Sequence, residues 1–146
     1  MGMTITGVSS VKRRLRKVQT TIIVSPKRLV KIVSEARNMI HKRTNKAQTA
    51  TGGSFTPLNS IYRDRKVADN KKGIPDLHYE GHMLRAMQVK KIRNGAEIYF
   101  NDNTQRKKAV AHHFGRGVPR RSFFRLGKKI ENYIFKEFRK PIKKAL

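Results

Sequence analysis

The residues that could do chemistry are few, and their spacing decides what chemistry is open to them. His78 and His82 are four apart and would share one face of a helix. His112 and His113 are adjacent, so on a strand they would point to opposite sides. A zinc site needs three or four ligands held by an orienting second layer of hydrogen bonds. His78, His82 and His113 could make such a trio. No cysteine assists them, and Gly81 weakens the helix that would carry the pair. The histidines therefore read as exposed or hydrogen-bonded side chains, and no metal or other cofactor is expected. Acid–base chemistry is equally poorly supplied. Of the nine carboxylates, Asp76 and Glu80 come closest to a pair, and a magnesium-dependent nuclease needs a tighter cluster. Gly115-Arg116-Gly117 runs into Val-Pro rather than Lys-Ser/Thr, so it is not a nucleotide-binding loop. The stretch VPRRSFFRLGKK interleaves cations with aromatics, a pattern suited to phosphate contact and base stacking. Phe123 and Phe124 lead straight into an amphipathic segment, however, which favours a place in the core. The expectation is a chain that is not an enzyme.

The chain as a whole points toward a polyanionic partner. Its 146 residues suit one domain, and 37% hydrophobic content suffices for a modest core. Lys and Arg number 35 against 9 Asp and Glu, a net charge of +26. Such a chain repels itself unless something negative is near. The charge lies toward the ends, with twelve basic residues and one acid before residue 52, six and four between 52 and 85, and seventeen and four after that. The absence of cysteine rules out disulfides and thiolate chemistry. No apolar run approaches membrane-spanning length.

Periodicity gives the elements. Val8, Val11, Leu15 and Val18 predict a short amphipathic helix over 8–19, with Lys12, Arg13, Arg14, Arg16 and Lys17 on its polar side. Ser25-Pro26 caps and opens a second helix, which carries Leu29, Ile32, Val33, Ala36 and Ile40 on one stripe out to about Thr44. Residues 44–54 read as a flexible loop, with no periodicity and only alanine as apolar content. Pro57 is expected to open a short helix with Leu58, Ile61 and Tyr62, and LHYEGHMLRAM (77–87) a helical turn or two presenting Met83, Leu84 and Met87. The period then changes to two. Met87, Val89 and Ile92 lead to an Asn94-Gly95 hairpin turn, and Ala96, Ile98 and Phe100 continue beyond it. Lys107–His113 is expected as a third strand. A final helix over about 127–140 carries Ile130, Tyr133, Ile134 and Phe138, with Pro141 as its stop. The expected fold is α+β: a single domain with a small antiparallel meander of three to four strands, packed by N-terminal helices and a C-terminal helix.

Three stretches, in this order, resemble the virion-morphogenesis and tail-completion proteins of tailed bacteriophages, which include neck and head–tail connector proteins. Members carry an aromatic, one residue and then Pro-Leu; here Phe55 stands where Trp is frequent, followed by Pro57 and Leu58. A hydroxyl residue and glycine precede a small apolar helix in the family; here Glu80-Gly81 precedes Met83 and Leu84. Members end with an Ala, His, Phe-Gly phrase and a Pro-Ala-Arg-Pro-Phe phrase. Ala111, His113, Phe114 and Gly115 match the first; Pro119, Arg121 and Phe123 match the second, with Arg120 and Ser122 as departures. The resemblance spans about residues 50–126.

It implies a structural ring protein, commonly of six subunits, in the virion neck at the head–tail interface. Such a protein is made in the host cytoplasm. Its neighbours would be the head-closure or connector ring on one side and the tail terminator or tail tube on the other, with viral DNA passing through the lumen and no membrane involved. Six copies would gather on the order of 150 positive charges, which demands acidic neighbours or DNA. On this reading 111–124 is a structural corner. The strand ends at His113-Phe114, Gly115 and Gly117 turn the chain, Pro119 stiffens the exit, and Phe123 and Phe124 pin the last helix. Arg116, Arg120, Arg121 and Arg125 are left to meet DNA or a neighbouring subunit, together with Lys12, Arg13, Arg14, Arg16 and Lys17. The alternative is a basic nucleic-acid-binding module, such as a ribosomal or DNA-packaging protein.

Overall fold

The computed structural model describes residues 25–93 and 95–145. Among the described residues five helices and one two-stranded antiparallel sheet make an α+β fold: α1 (Pro26–Thr44), α2 (Ser60–Ala68), α3 (His82–Arg85), β1 (Met87–Ile92), β2 (Gly95–Phe100), α4 (Asn103–Phe114) and α5 (Lys128–Ala145). The expected helix over 8–19, with its five cations, lies outside the described residues.

Helix α1 begins as its sequence dictates. The Ser25 hydroxyl accepts from the Arg28 amide at 3.4 Å, and Pro26 occupies the first turn, where its missing N–H costs nothing. Ile32, Ala36, Ile40 and Thr44 recur every four residues and are all buried. The Thr44 hydroxyl is satisfied internally, donating to the Ile40 carbonyl at 2.8 Å. This stripe lies across the hairpin. Met87 pairs with Phe100, Val89 with Ile98 and Lys91 with Ala96, so these six side chains share one face. Ile92 falls on the other face and is exposed, which breaks the alternation expected of it. It pairs with Gly95, so Gly95 opens β2 instead of sitting within the turn.

The third strand is not present, and the sheet has two strands among the described residues. Lys107–His113 lies within α4. Alanines at 109 and 111 fit either period, and Val110 alone is too little to enforce alternation. Asp102 decides the outcome: its carboxylate accepts from the Gln105 amide at 2.7 Å and starts a helix. The small Ala109 is the buried residue of α4 and lets it sit close to the core.

Helix α5 carries Ile130 into the core, with Ile134 packed beside it. Pro141, expected to stop this helix, lies inside it. A proline has no N–H for the carbonyl four residues earlier. That carbonyl, of Glu137, is taken instead by the Arg28 guanidinium of α1 at 2.8 Å. Residues 44–54 form a turn tied by backbone bonds: Phe55 donates to the Ala47 carbonyl and Thr49 to the Gly53 carbonyl, each at 2.7 Å. Backbone pairing, with buried Ala47, supplies the order that apolar side chains do not.

Candidate assembly and nucleic-acid interface

The three motif stretches meet in one place. Phe55 and Phe123, 68 positions apart, are both buried in a single core with Met83, Leu84 and Met87. Phe123 has no exposed surface. Phe124 is half-buried, its ring 5.5 Å from that of Phe100. Phe123 therefore holds the approach to α5 against the core. The element before it is a helix rather than a strand, with Gly115 as its left-handed cap at φ 76°. A Cβ there would come within 3.0 Å of the Arg120 Cβ, so glycine permits both the turn and the return of the chain.

Arg121 is a correction. It was expected at the surface, yet it is only 5% exposed. Its guanidinium donates to the carbonyls of Thr56 at 3.3 Å and Pro57 at 3.5 Å, and its amide donates to the His112 carbonyl at 2.7 Å. It thus ties the Phe55-Thr56-Pro57-Leu58 stretch to the second phrase and to α4. Burial holds its pKa below the usual arginine value. Arg43 of α1 makes a matching clamp that sequence reading missed. Its guanidinium donates to the carbonyls of Phe123 and Arg125, both at 2.7 Å. Arg43 sits in a cationic helix end, and nothing in its local pattern separates it from its neighbours.

The remaining expected residues divide by exposure. Leu84 and Gly81 are buried, Leu58 and His113 half-buried, and Pro57, Pro119 and Gly115 exposed. Phe114 is 59% exposed and lies outside the core, with the Arg116 guanidinium 5.7 Å from its ring centre. Arg120 is exposed and donates to the Ser122 hydroxyl at 3.2 Å. Arg125 is exposed; its carbonyl accepts from Arg43 and its amide donates to the Phe123 carbonyl at 3.0 Å. Lys12, Arg13, Arg14, Arg16 and Lys17 lie outside the described residues.

Helix α2 starts at Ser60, not at Pro57, because Asn59 caps it by accepting from the Tyr62 amide at 2.7 Å. Its one buried side chain is Lys66. The Lys66 ammonium lies 2.7 Å from Asp76 and donates to the Ile74 carbonyl at 2.9 Å. Asp76 also accepts from the His78 amide at 3.1 Å. This buried ion pair fixes the 74–78 loop against α2. Ile61, expected to face the core, is 82% exposed, and Val67 is also exposed.

Among the described residues no group of three or more His, Asp or Glu could hold a metal ion. His112, rather than His113, shares a cleft with His78 and His82. Burial and the nearby Arg121 charge depress the His112 pKa, so its imidazole is neutral at neutral pH. No helix among the described residues is long and apolar enough to cross a membrane. Comparison with family models, curated proteins and solved structures gives no match.

Proposed function

We propose that this chain is a structural subunit of the neck or tail-completion ring of a tailed bacteriophage, joining the head connector to the tail around the DNA. The observation that carries the reading is the junction of the three motif stretches. Phe55, Leu84 and Phe123 share one core, and Arg121 binds the first stretch to the last. Scattered chance matches have no reason to meet in this way, and stretches that build one corner do. Two further features favour assembly. Exposed apolar side chains lie on separate elements, Ile61 and Val67 on α2 and Phe135 on α5. A ring subunit uses two different faces for head-to-tail contact. The uncompensated charge of +26 suits a subunit that lines a DNA channel or meets acidic neighbours.

The N-terminal cations belong to attachment in this proposal. Changing Lys12, Arg13, Arg14, Arg16 and Lys17 to glutamine leaves the fold intact and weakens contact with DNA or a neighbouring ring. The test is the yield of complete virions when this variant replaces the natural chain. A fall in complete particles is expected, and an unchanged yield would remove this account of the N-terminal charge.

A further inference from the structure

Arg121 poses a problem that the ring reading does not resolve. A guanidinium does not give up its proton, and a buried charge is normally paired. Among the described residues Arg121 has no carboxylate partner; it has the two carbonyls of Thr56 and Pro57. It lines a cleft of about 350 Å³ between α2, the 75–81 loop and α4. That volume is at the lower end for a small-molecule site.

The lining carries further positive charge. Arg65 contributes from α2 and Lys108 from α4. The lining carboxylate is Glu80, exposed and 3.7 Å from the His82 Nδ1. Two buried polar atoms on the α4 wall, His112 Nδ1 and Gln105 Oε1, lack a hydrogen-bond partner among the described residues. Tyr62 and Tyr79, also in the lining, stack with ring centres 6.0 Å apart, and the Tyr79 hydroxyl donates to Asp69. The cleft wall is held in place from behind. Lys66 and Asp76 fix the 74–78 loop, and Gly81 at φ 77° leaves room for the His78 ring, whose Nε2 would be 2.6 Å from a Cβ.

We infer that this cleft binds one nucleotide unit of a single strand, with its phosphate against Arg121, Arg65 and Lys108 and its base against the tyrosine pair. Guanidinium and ammonium groups supply the charge-assisted bonds that phosphate requires. An aromatic face beside them is the arrangement that single strands use. A carboxylate from another copy is the poorer occupant, because the chain has only nine acids and several are already in ion pairs. This inference goes beyond the ring proposal and does not depend on it.

Two adjacent lysines make the test. Lys108 lines the cleft, whereas Lys107 lies in a shallow groove with Arg116 on another side of α4. Both are exposed, so neither Lys108→Gln nor Lys107→Gln should disturb the fold, which thermal unfolding checks. Each removes the same charge. Affinity of the full chain for a labelled oligothymidylate of about eight nucleotides is read by fluorescence anisotropy at fixed ionic strength. Lys108→Gln is expected to weaken binding by about tenfold and Lys107→Gln by no more than about twofold. Tyr62→Leu is expected to weaken the strand while leaving binding of a duplex of the same length unchanged. Equal losses for the two lysines would overturn the inference, as would failure of the strand to bind. Competition by an oligoglutamate peptide at lower concentration than by the strand would overturn it too, by making the cleft a carboxylate site. A chain that shows the tenfold difference yet stays monomeric even with the neighbouring virion proteins would remove the ring proposal and leave this site standing.

Discussion

Phe123 and Gly81 show what single residues contribute, and each makes a measurable demand. Phe123→Ala removes a fully buried ring from the centre of the core and should cost about 3–5 kcal/mol in chemical denaturation. A change near zero would contradict the corner. Gly81→Ala meets two obstacles, a left-handed backbone and the His78 ring at 2.6 Å, and should cost at least about 1 kcal/mol in the same experiment. The imidazoles of His41 and His112 are both held below the ordinary 6.5, chiefly by burial and then by Arg37 and Arg121 respectively. As pH falls, the unfolded chain takes up these protons first. Their contribution is therefore complete above about 6.5 and declines below it. Thermal unfolding between pH 7.5 and 5.5 should show a falling midpoint, with a shallower fall in His41→Gln. A core place for Phe123 is legible from the amphipathic segment that follows it, whereas nothing around Phe55 but the family resemblance marks that ring. The burial of Arg121 is not legible, since a cation among cations looks like a solvated one until the carbonyls it serves are seen.

At the scale of elements, strong periodicity was readable and weak periodicity was not. Helix α1 has a cap, a first-turn proline and a four-residue stripe, and its bounds follow from them. The hairpin follows from its change of period. Helix α4 departs from the expected strand because two alanines and two histidines carry no face of their own, and the decisive cap, the Asp102 carboxylate, lies outside the expected segment. Helix α2 departs further from pattern reading. Its anchor is an ion pair, and no apolar stripe announces one. Lys66→Met should destabilise the fold by about 3–5 kcal/mol by leaving the Asp76 carboxylate buried without a partner. Adding Asp76→Leu should recover much of that loss, because an apolar pair of similar volume removes both charges. If the single and double variants unfold at the same denaturant concentration, the pair does not anchor α2. Proline 141 teaches a related point. Its helix continues because Arg28, from another element, takes up the carbonyl that the proline leaves free.

The whole molecule is governed by its charge and by the surfaces that charge leaves uncovered. The proposed function requires a polyanionic neighbour, since 35 cations against 9 acids cannot be neutralised internally. Exposure is visible only in three dimensions: folding withdraws Arg43 and Lys66 into structural roles and leaves Arg116, Arg120 and Lys108 outside. The exposed Ile61 and Phe135 likewise emerge as assembly candidates only after the core has been filled without them. The most direct test of the ring proposal is the mass of the purified chain by light scattering at low and high salt, free of nucleic acid, alone and with the neighbouring virion proteins. The account predicts a closed oligomer, formed by the chain itself or on addition of those neighbours. A monomer at every salt concentration, which binds DNA or RNA tightly and never joins the virion proteins, would contradict it and make the chain a nucleic-acid-binding module.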